Sequence, residues 1–257
     1  TVKRGRLTHV APNPEHPASR GAFCIKGIRG MPGIAYGDER LLYPMRRVDR
    51  KGEGRFERIS WQGALDEIAE RLTGIAQSSD GPQAILPYSY AGTMGMLQGS
   101  SIDRRFFHHI RASNLGPTIC SMAGTVGMRM TVGANIGPDV EGAPHSDLIL
   151  LWGTNTLTSN PHMWPFVLRA KEQGATVIAI DPIRTRTAAQ CDEWIGIRPG
   201  TDAALALGMM HVLFERGLED RDYLAHHTLG EDRLRARVQE YPPSRVAQIT
   251  GLPERKI

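Results

Sequence analysis

The chain has 257 residues, 40% of them hydrophobic and 23% charged, with a formal net charge of +4. That is globular composition, enough for one large or two ordinary domains. No apolar run nears the roughly eighteen residues of a membrane helix, so direct membrane insertion is not expected, and three widely spaced cysteines exclude a disulfide scaffold.

Charge is unevenly placed. Residues 1 to 60 carry 13 Lys and Arg against 6 Asp and Glu, a net +7, leaving 18 against 21, or −3, for the remainder. Such a basic segment suits an anionic cofactor or an acidic partner. Its cations are not interleaved with aromatics and no nucleic-acid-binding motif is present, so nucleic acid is not an expected partner. The chain starts at Thr1 rather than Met, opens into a strand-like basic run over 2–10, and ends soon after a helical pattern. These features read as an internal piece of something longer.

Cys24-Ile25-Lys26-Gly27 follows a basic, glycine-containing stretch over 16–23 and precedes Gly30 and Gly33. It is poor material for a core and good material for a site. A lone cysteine commonly packs as a small hydrophobe, and an iron–sulfur cluster takes four thiolates. Cys24, Cys120 and Cys191 are too far apart in sequence to form a local cluster motif. Either Cys24 is structural or its partners lie outside this segment.

From Ser60 the pattern alternates between helix and strand. Ser60 caps a predicted helix carrying Ala64, Leu65, Ile68, Ala69 and Leu72 on one face and stopping near Gly81-Pro82. Residues 84–88 read as a short strand leading into Gly92-Thr93-Met94-Gly95, and a helix is predicted over about 96–112. Residues 147–152 are a buried-strand run, 161–173 a helix stopped by Gly174, and 176–181 a second buried strand. That unit is a crossover between parallel strands. Thr201 is the expected cap of a helix over 202–216. Residues 220–241 and 244–249 read as helical, broken at Pro242-Pro243.

Ligands of open parallel sheets bind beyond the carboxyl ends of the strands. The predicted strands end in Gly92-Thr93-Met94-Gly95, Gly153-Thr154-Asn155 and Asp181-Pro182, and Pro199-Gly200-Thr201-Asp202 precedes the long helix. These turns expose backbone amides, and Asn155, Asp181 and Asp202 add side chains able to pair with a base edge or ribose hydroxyls. A nucleotide-containing ligand follows, set against the plain alternative that such turns only cap helices and close loops. Neither G-x-G-x-x-G nor a Walker-type phosphate loop occurs. His108-His109 and His226-His227 are adjacent pairs on helices and make poor metal sites. Asp192-Glu193 and Asp220 with Asp222 read as solvated charges.

Taken in order, the turns resemble a known family. Cys24-x-Lys26-Gly27, residues 40–47 (RLLYPMRR), 60–65 (SWQGAL), Gly92-Thr93-Met94-Gly95, Thr118-Ile119-Cys120, Trp152-Gly153-Thr154-Asn155, Ile180-Asp181-Pro182 and residues 198–205 (RPGTDAAL) together resemble the molybdopterin oxidoreductases of the dimethyl sulfoxide reductase superfamily. Formate dehydrogenases, periplasmic nitrate reductases and polysulfide reductases belong to it. The resemblance implies an α/β fold: a mostly parallel sheet with helices on both faces, preceded by the remnant of a small iron–sulfur domain. It implies an iron–sulfur part over 1–58 and a molybdopterin-binding part over 59–257.

It further implies a catalytic subunit holding two molybdopterin guanine dinucleotides, molybdenum or tungsten and a 4Fe-4S cluster. A small-molecule substrate and an electron-transfer subunit, iron–sulfur or cytochrome, complete the picture. Cys24 matches the last cluster cysteine, the other three being expected before Thr1, and Lys26 matches the lysine between cluster and pterin. Cys120 lies where the family places the protein ligand of the metal. Gly153, Thr154, Asn155, Asp181, Gly200, Thr201 and Asp202 match positions holding one guanine dinucleotide, with Arg184 and Thr185 as phosphate contacts and Arg46 as a looser one. Cys191 matches no family ligand and is expected to be structural. The rival readings are a non-catalytic relative, like the large iron–sulfur subunit of respiratory complex I, and an ordinary nucleotide-binding module.

Overall fold

The computed structural model describes residues 1–17, 19–90, 95, 97 and 101–257. They form two compact units, one of Thr1–Pro32 with Pro138–Ile257 and one of Gly33–Gly137. Residues 92–94, 96 and 98–100 of the expected glycine turn and following helix, and Ala18 of the stretch before Cys24, lie outside the described residues.

In the first unit the expected single strand over 2–10 is instead a small hairpin, β1 (Val2–Lys3) against β2 (Arg6–Leu7), antiparallel. Arg4 and Gly5 both take positive φ, 51° and 74°. Two left-handed residues close the two-residue turn whose twist matches paired strands. A helical turn, Lys26–Gly30, runs into α1 (Met31–Tyr36).

The second unit begins within α1, at Gly33, and continues with the antiparallel pair β3 (Met45–Arg47) and β4 (Phe56–Arg58), followed by α2 (Trp61–Ala76). Ser60 caps α2 as expected, its hydroxyl accepting from Gly63 N–H at 3.0 Å. The expected strand over 84–88 is not one. Pro82–Ala84 forms a turn of 3-10 helix, and Ile85, though extended and buried, gives its carbonyl to Ser113 N–H. Pro87 has no N–H to donate to a ladder. Helix α3 is Ile102–His109 and α4 is Met122–Val132.

The first unit's core is a three-stranded parallel sheet ordered β5 (Leu148–Trp152), β6 (Thr176–Ile180), β7 (Glu193–Ile195). The third strand is too short and polar at its start to be read from pattern. Residues expected as one helix over 161–173 form only α6 (Trp164–Glu172), preceded by the separate four-residue α5 (Thr156–Ser159). Gly174, at φ 100°, ends α6 as expected. Ile149, Leu151 and Val177 turn to one face and pack with Trp164, Val167 and Ala170 of α6. Ile180 turns to the other face and packs with Ile197, Leu252 and Leu205 of α7 (Asp202–Glu215). Helices thus cover both faces, the αβα arrangement expected. The helical stretch over 220–241 is two helices, α8 (Arg221–His227) and α9 (Glu231–Val238), broken by Gly230 at φ 82°; α10 (Pro243–Thr250) follows.

Two charges expected to be merely solvated are structural. Asp220 caps α8 by accepting from Tyr223 N–H. Asp192 joins three elements: its carboxylate accepts from Val177 N–H and from Lys171 of α6, each at 2.8 Å, while its own N–H donates to Val177 O. The Lys171 ammonium and then the Val177 N–H hold its carboxyl below the usual aspartate range. A depressed carboxyl contributes stability above its unfolded pKa and loses it as pH falls through the folded one. Discounted for solvent screening, Asp192→Ala is therefore expected to cost on the order of 1 kcal/mol at neutral pH. In urea melts the difference from the wild type should vanish as pH is taken below the ordinary aspartate value of about 3.9; a constant difference would contradict this account.

Candidate functional site

Register brings the strand ends to one rim. Trp152 lies opposite Ile180, and Ile180 opposite Ile195. Gly153 N–H donates to Ile180 O at 2.8 Å and Asp181 N–H to Ile195 O at 3.2 Å. Gly153-Thr154-Asn155 and Asp181 therefore leave the sheet side by side. Gly153 and Gly200 hold φ of 61° and 78°, with no heavy atom within 4 Å of where a Cβ would stand. The rim is open space bordered by backbone that only glycine adopts without strain.

Several polar side chains here have one atom committed to the protein and another left over. Asp202 Oδ1 accepts from Trp152 Nε1 at 2.7 Å. Asp181 Oδ1 accepts from Ile183 N–H at 2.8 Å, and its carbonyl from Trp194 Nε1. Asn155 Oδ1 accepts from Thr187 Oγ1 at 2.7 Å. Thr154 Oγ1 is 3.3 Å from Thr156 Oγ1. Thr201 does not cap α7, contrary to expectation: its backbone is not extended, and its hydroxyl donates back to Arg198 O at 2.7 Å. Thr185 Oγ1 accepts from Ala188 N–H at 3.1 Å, and Arg184 beside it is exposed.

Cys24 and Lys26 are exposed in the same compact unit as the rim. The N–H groups of Gly27 and then Lys26, with the Lys26 charge, draw the Cys24 thiol below its ordinary pKa. The preceding segment is fastened near α6: His162 Nε2 lies 3.1 Å from Ala22 O, and the Arg20 guanidinium stacks 4.8 Å from the Phe166 ring. Cys191 behaves as expected of a packing residue, donating its thiol to Thr187 O at 3.2 Å, with its pKa pushed up by burial.

Cys120 belongs to the other unit, exposed in the turn before α4. The Tyr90 hydroxyl oxygen accepts from Thr118 N–H at 2.8 Å and Ile119 N–H at 3.2 Å, pinning that turn and lowering the phenol's pKa. Arg46, a looser expectation as a phosphate contact, is paired instead with Glu57 at 2.6 Å and Glu67 at 3.6 Å. Among the described residues no group of three or more His, Cys, Asp or Glu is placed to hold an ion.

Trp152, Thr187 and Trp194 at the rim, and Tyr90 at the separate Cys120 turn, were not picked out from the sequence. Each acts on a partner far along the chain, 50 residues away for Trp152 and Asp202 and 32 for Thr187 and Asn155. No local spacing marks such pairs.

Residues 1–35 match the family described as "Molybdopterin oxidoreductase Fe4S4 domain" and residues 40–248 that described as "Molybdopterin oxidoreductase". "Probable oxidoreductase YoaE" of Bacillus subtilis is 40% identical over 250 residues, 97% of this chain and 36% of that protein. "Acetylene hydratase" of Syntrophotalea acetylenica is 34% identical over 251 residues, 93% of this chain and 32% of that one. The solved structure "Acetylene Hydratase from Pelobacter acetylenicus" superposes with a TM-score of 0.75 at 32% identity, covering 94% of this chain and 33% of that one. The chain thus spans about a third of the length of these relatives.

Two outcomes test the local chemistry. In protein free of metal, Cys24 should be alkylated by iodoacetamide at neutral pH well before Cys191, because thiolate is the reacting form; peptide mass mapping reads the order, and Cys191 reacting first would refute it. In Tyr90→Phe the Thr118 and Ile119 amides lose their acceptor, so their hydrogen exchange should quicken about tenfold; equal rates in the two proteins would show that the phenol does not hold the turn.

Proposed function

Because this chain belongs to the molybdopterin oxidoreductase family, we propose that it is part of the catalytic subunit of a molybdenum or tungsten oxidoreductase holding two molybdopterin guanine dinucleotides and a 4Fe-4S cluster. A small molecule is the substrate, and a separate iron–sulfur or cytochrome subunit exchanges the electrons. Residues 1–58 form the iron–sulfur part and 59–257 the dinucleotide-binding part.

The observation that carries this reading is the pair of family matches, the Fe4S4 domain over residues 1–35 and the molybdopterin oxidoreductase over residues 40–248; the state of Cys24 agrees with it. In the segment matched by the Fe4S4 domain, its thiol is drawn toward thiolate by two backbone N–H groups, and thiolate is the form that ligates iron. Cys24 would supply one ligand of four, and Lys26 would set a cation between cluster and pterin. Cys120 would bind the metal, a soft sulfur donor on an exposed turn.

The rim suits an anionic nucleotide. Gly153 and Gly200 leave room for close approach to backbone. Asp181 and Asp202 each keep one carboxylate oxygen, suited to donors on a base edge or ribose. Thr154, Asn155, Thr201, Arg184 and Thr185 complete the set. When bound, the metal supplies two-electron redox chemistry and the cluster one-electron transfer. The protein contributes placement, charge and exclusion of wrong geometries.

The full-length protein, purified intact, should contain molybdenum or tungsten together with about four iron atoms. Cys120→Ala should lower turnover at least about a hundredfold, because losing even an outer partner of a metal ligand costs 10–100-fold. Its iron content and melting temperature should not change. Iron without molybdenum or tungsten would favour the non-catalytic relative, and full turnover in Cys120→Ala would remove that residue from the metal.

A further inference from the structure

Thr187 stands on the loop after β6, and its side chain is fully buried, with 0% exposure. A threonine hydroxyl has one proton to give and two lone pairs to receive. One lone pair accepts Leu157 N–H at 3.0 Å, and the remaining partner among the described residues is the Asn155 amide at 2.7 Å. Only one orientation of that amide satisfies everything. With its oxygen toward Thr187, the hydroxyl proton finds its acceptor. With its nitrogen there, a buried O–H is left without one, the costly outcome in an interior.

The consequence falls on the other side of Asn155. With its oxygen given to Thr187, the half-buried amide keeps its NH2 group, two donors, as its uncommitted end, on the turn that follows β5. Asp181 and Asp202, on the same rim, have only carboxylate oxygens to offer. The rim therefore carries a side-chain amide whose polarity is fixed, and a ligand meets its free end with an acceptor.

We propose that Thr187 is a positioning residue which locks Asn155 as a hydrogen-bond donor to a phosphate or ribose oxygen of the bound nucleotide. The proposal rests on the nucleotide reading of the rim given above and adds to it the residue that sets the polarity of one contact. Thr187 itself touches no ligand.

The test uses the full-length protein produced in a host unable to make the pterin, titrated calorimetrically with GDP and with guanosine. Wild type should bind GDP. Thr187→Val should weaken it about tenfold, the size of one lost hydrogen bond with its buried partner, while Thr187→Ser stays within about twofold. In the Asn155→Ala background, Thr187→Val should cost nothing further, since Thr187 acts through Asn155; a purely structural role would cost the same in either background. Asn155→Asp keeps an acceptor for Thr187 but removes the donor, so it should fold as wild type and lose binding. This holds even if Thr187→Val does not fold. Weakening confined to GDP assigns the acceptor to phosphate, and weakening of both probes assigns it to ribose; either upholds the proposal. Wild-type affinity in Thr187→Val or Asn155→Asp, or a further loss in the double variant, overturns it and leaves the nucleotide reading standing. No GDP binding by the wild type overturns both.

Discussion

The parallel register of β5, β6 and β7 is the constraint on which the candidate dinucleotide site depends. Side chains alternate faces along a strand, so a slip of β5 by one residue against β6 would carry Ile149 and Leu151 away from α6 and present Leu148 and Leu150 in their place. Fully burying a side chain of that kind is worth roughly 1.5–3 kcal/mol, and the two move together. A single hydrogen bond at the rim contributes about 1 kcal/mol. The core therefore decides the register, and the register decides that Gly153, Asp181 and their neighbours emerge side by side. The rim is a consequence of packing before it is a binding surface.

What was legible in the sequence follows the same division. Continuous apolar runs marked β5 and β6, and Ser60 and Gly174 marked helix ends, because each signal is local and has a local cause. The differences lie where another group competes for an atom that the local pattern assigns elsewhere. Residues 84–88 have strand composition, but Ser113 takes the Ile85 carbonyl and Pro87 cannot donate, so no ladder forms. Thr201 looks like a cap, but its hydroxyl is used by Arg198 O. β7 went unseen because Asp192, a residue disfavoured in strands, brings it to β6 through a side-chain bond to Val177 N–H. The glycines and acids of the rim could be named from spacing. Thr187, Trp152 and Tyr90 could not, since each matters only through a residue that folding brings near.

The charge excess of residues 1–60 is also less available than composition implies. Arg46 is spent on Glu57 and Glu67, Arg55 on Asp49, and the guanidiniums of Arg20 and Arg58 lie over Phe166 and Tyr43. The exposed pairs of Arg46 add little stability, but all of these contacts fix cations in place and mute the field that each would cast. The Lys26 charge, in contrast, acts directly on the Cys24 sulfur. Net charge attracts an anion in general; what bears on this site is which cations remain directed at it.

Cys24 and the rim meet their demands by the same device. At Cys24, the nearby N–H groups of Gly27 and Lys26 favour thiolate, with the Lys26 charge adding to them. At the rim, a buried hydroxyl or an indole N–H takes one atom of a side chain and leaves the other facing outward. In both, the polar group is oriented before a ligand arrives, and its ordering cost is met in folding rather than in binding. A mobile surface could carry the same residues, but each contact would then give back part of its strength as lost side-chain entropy.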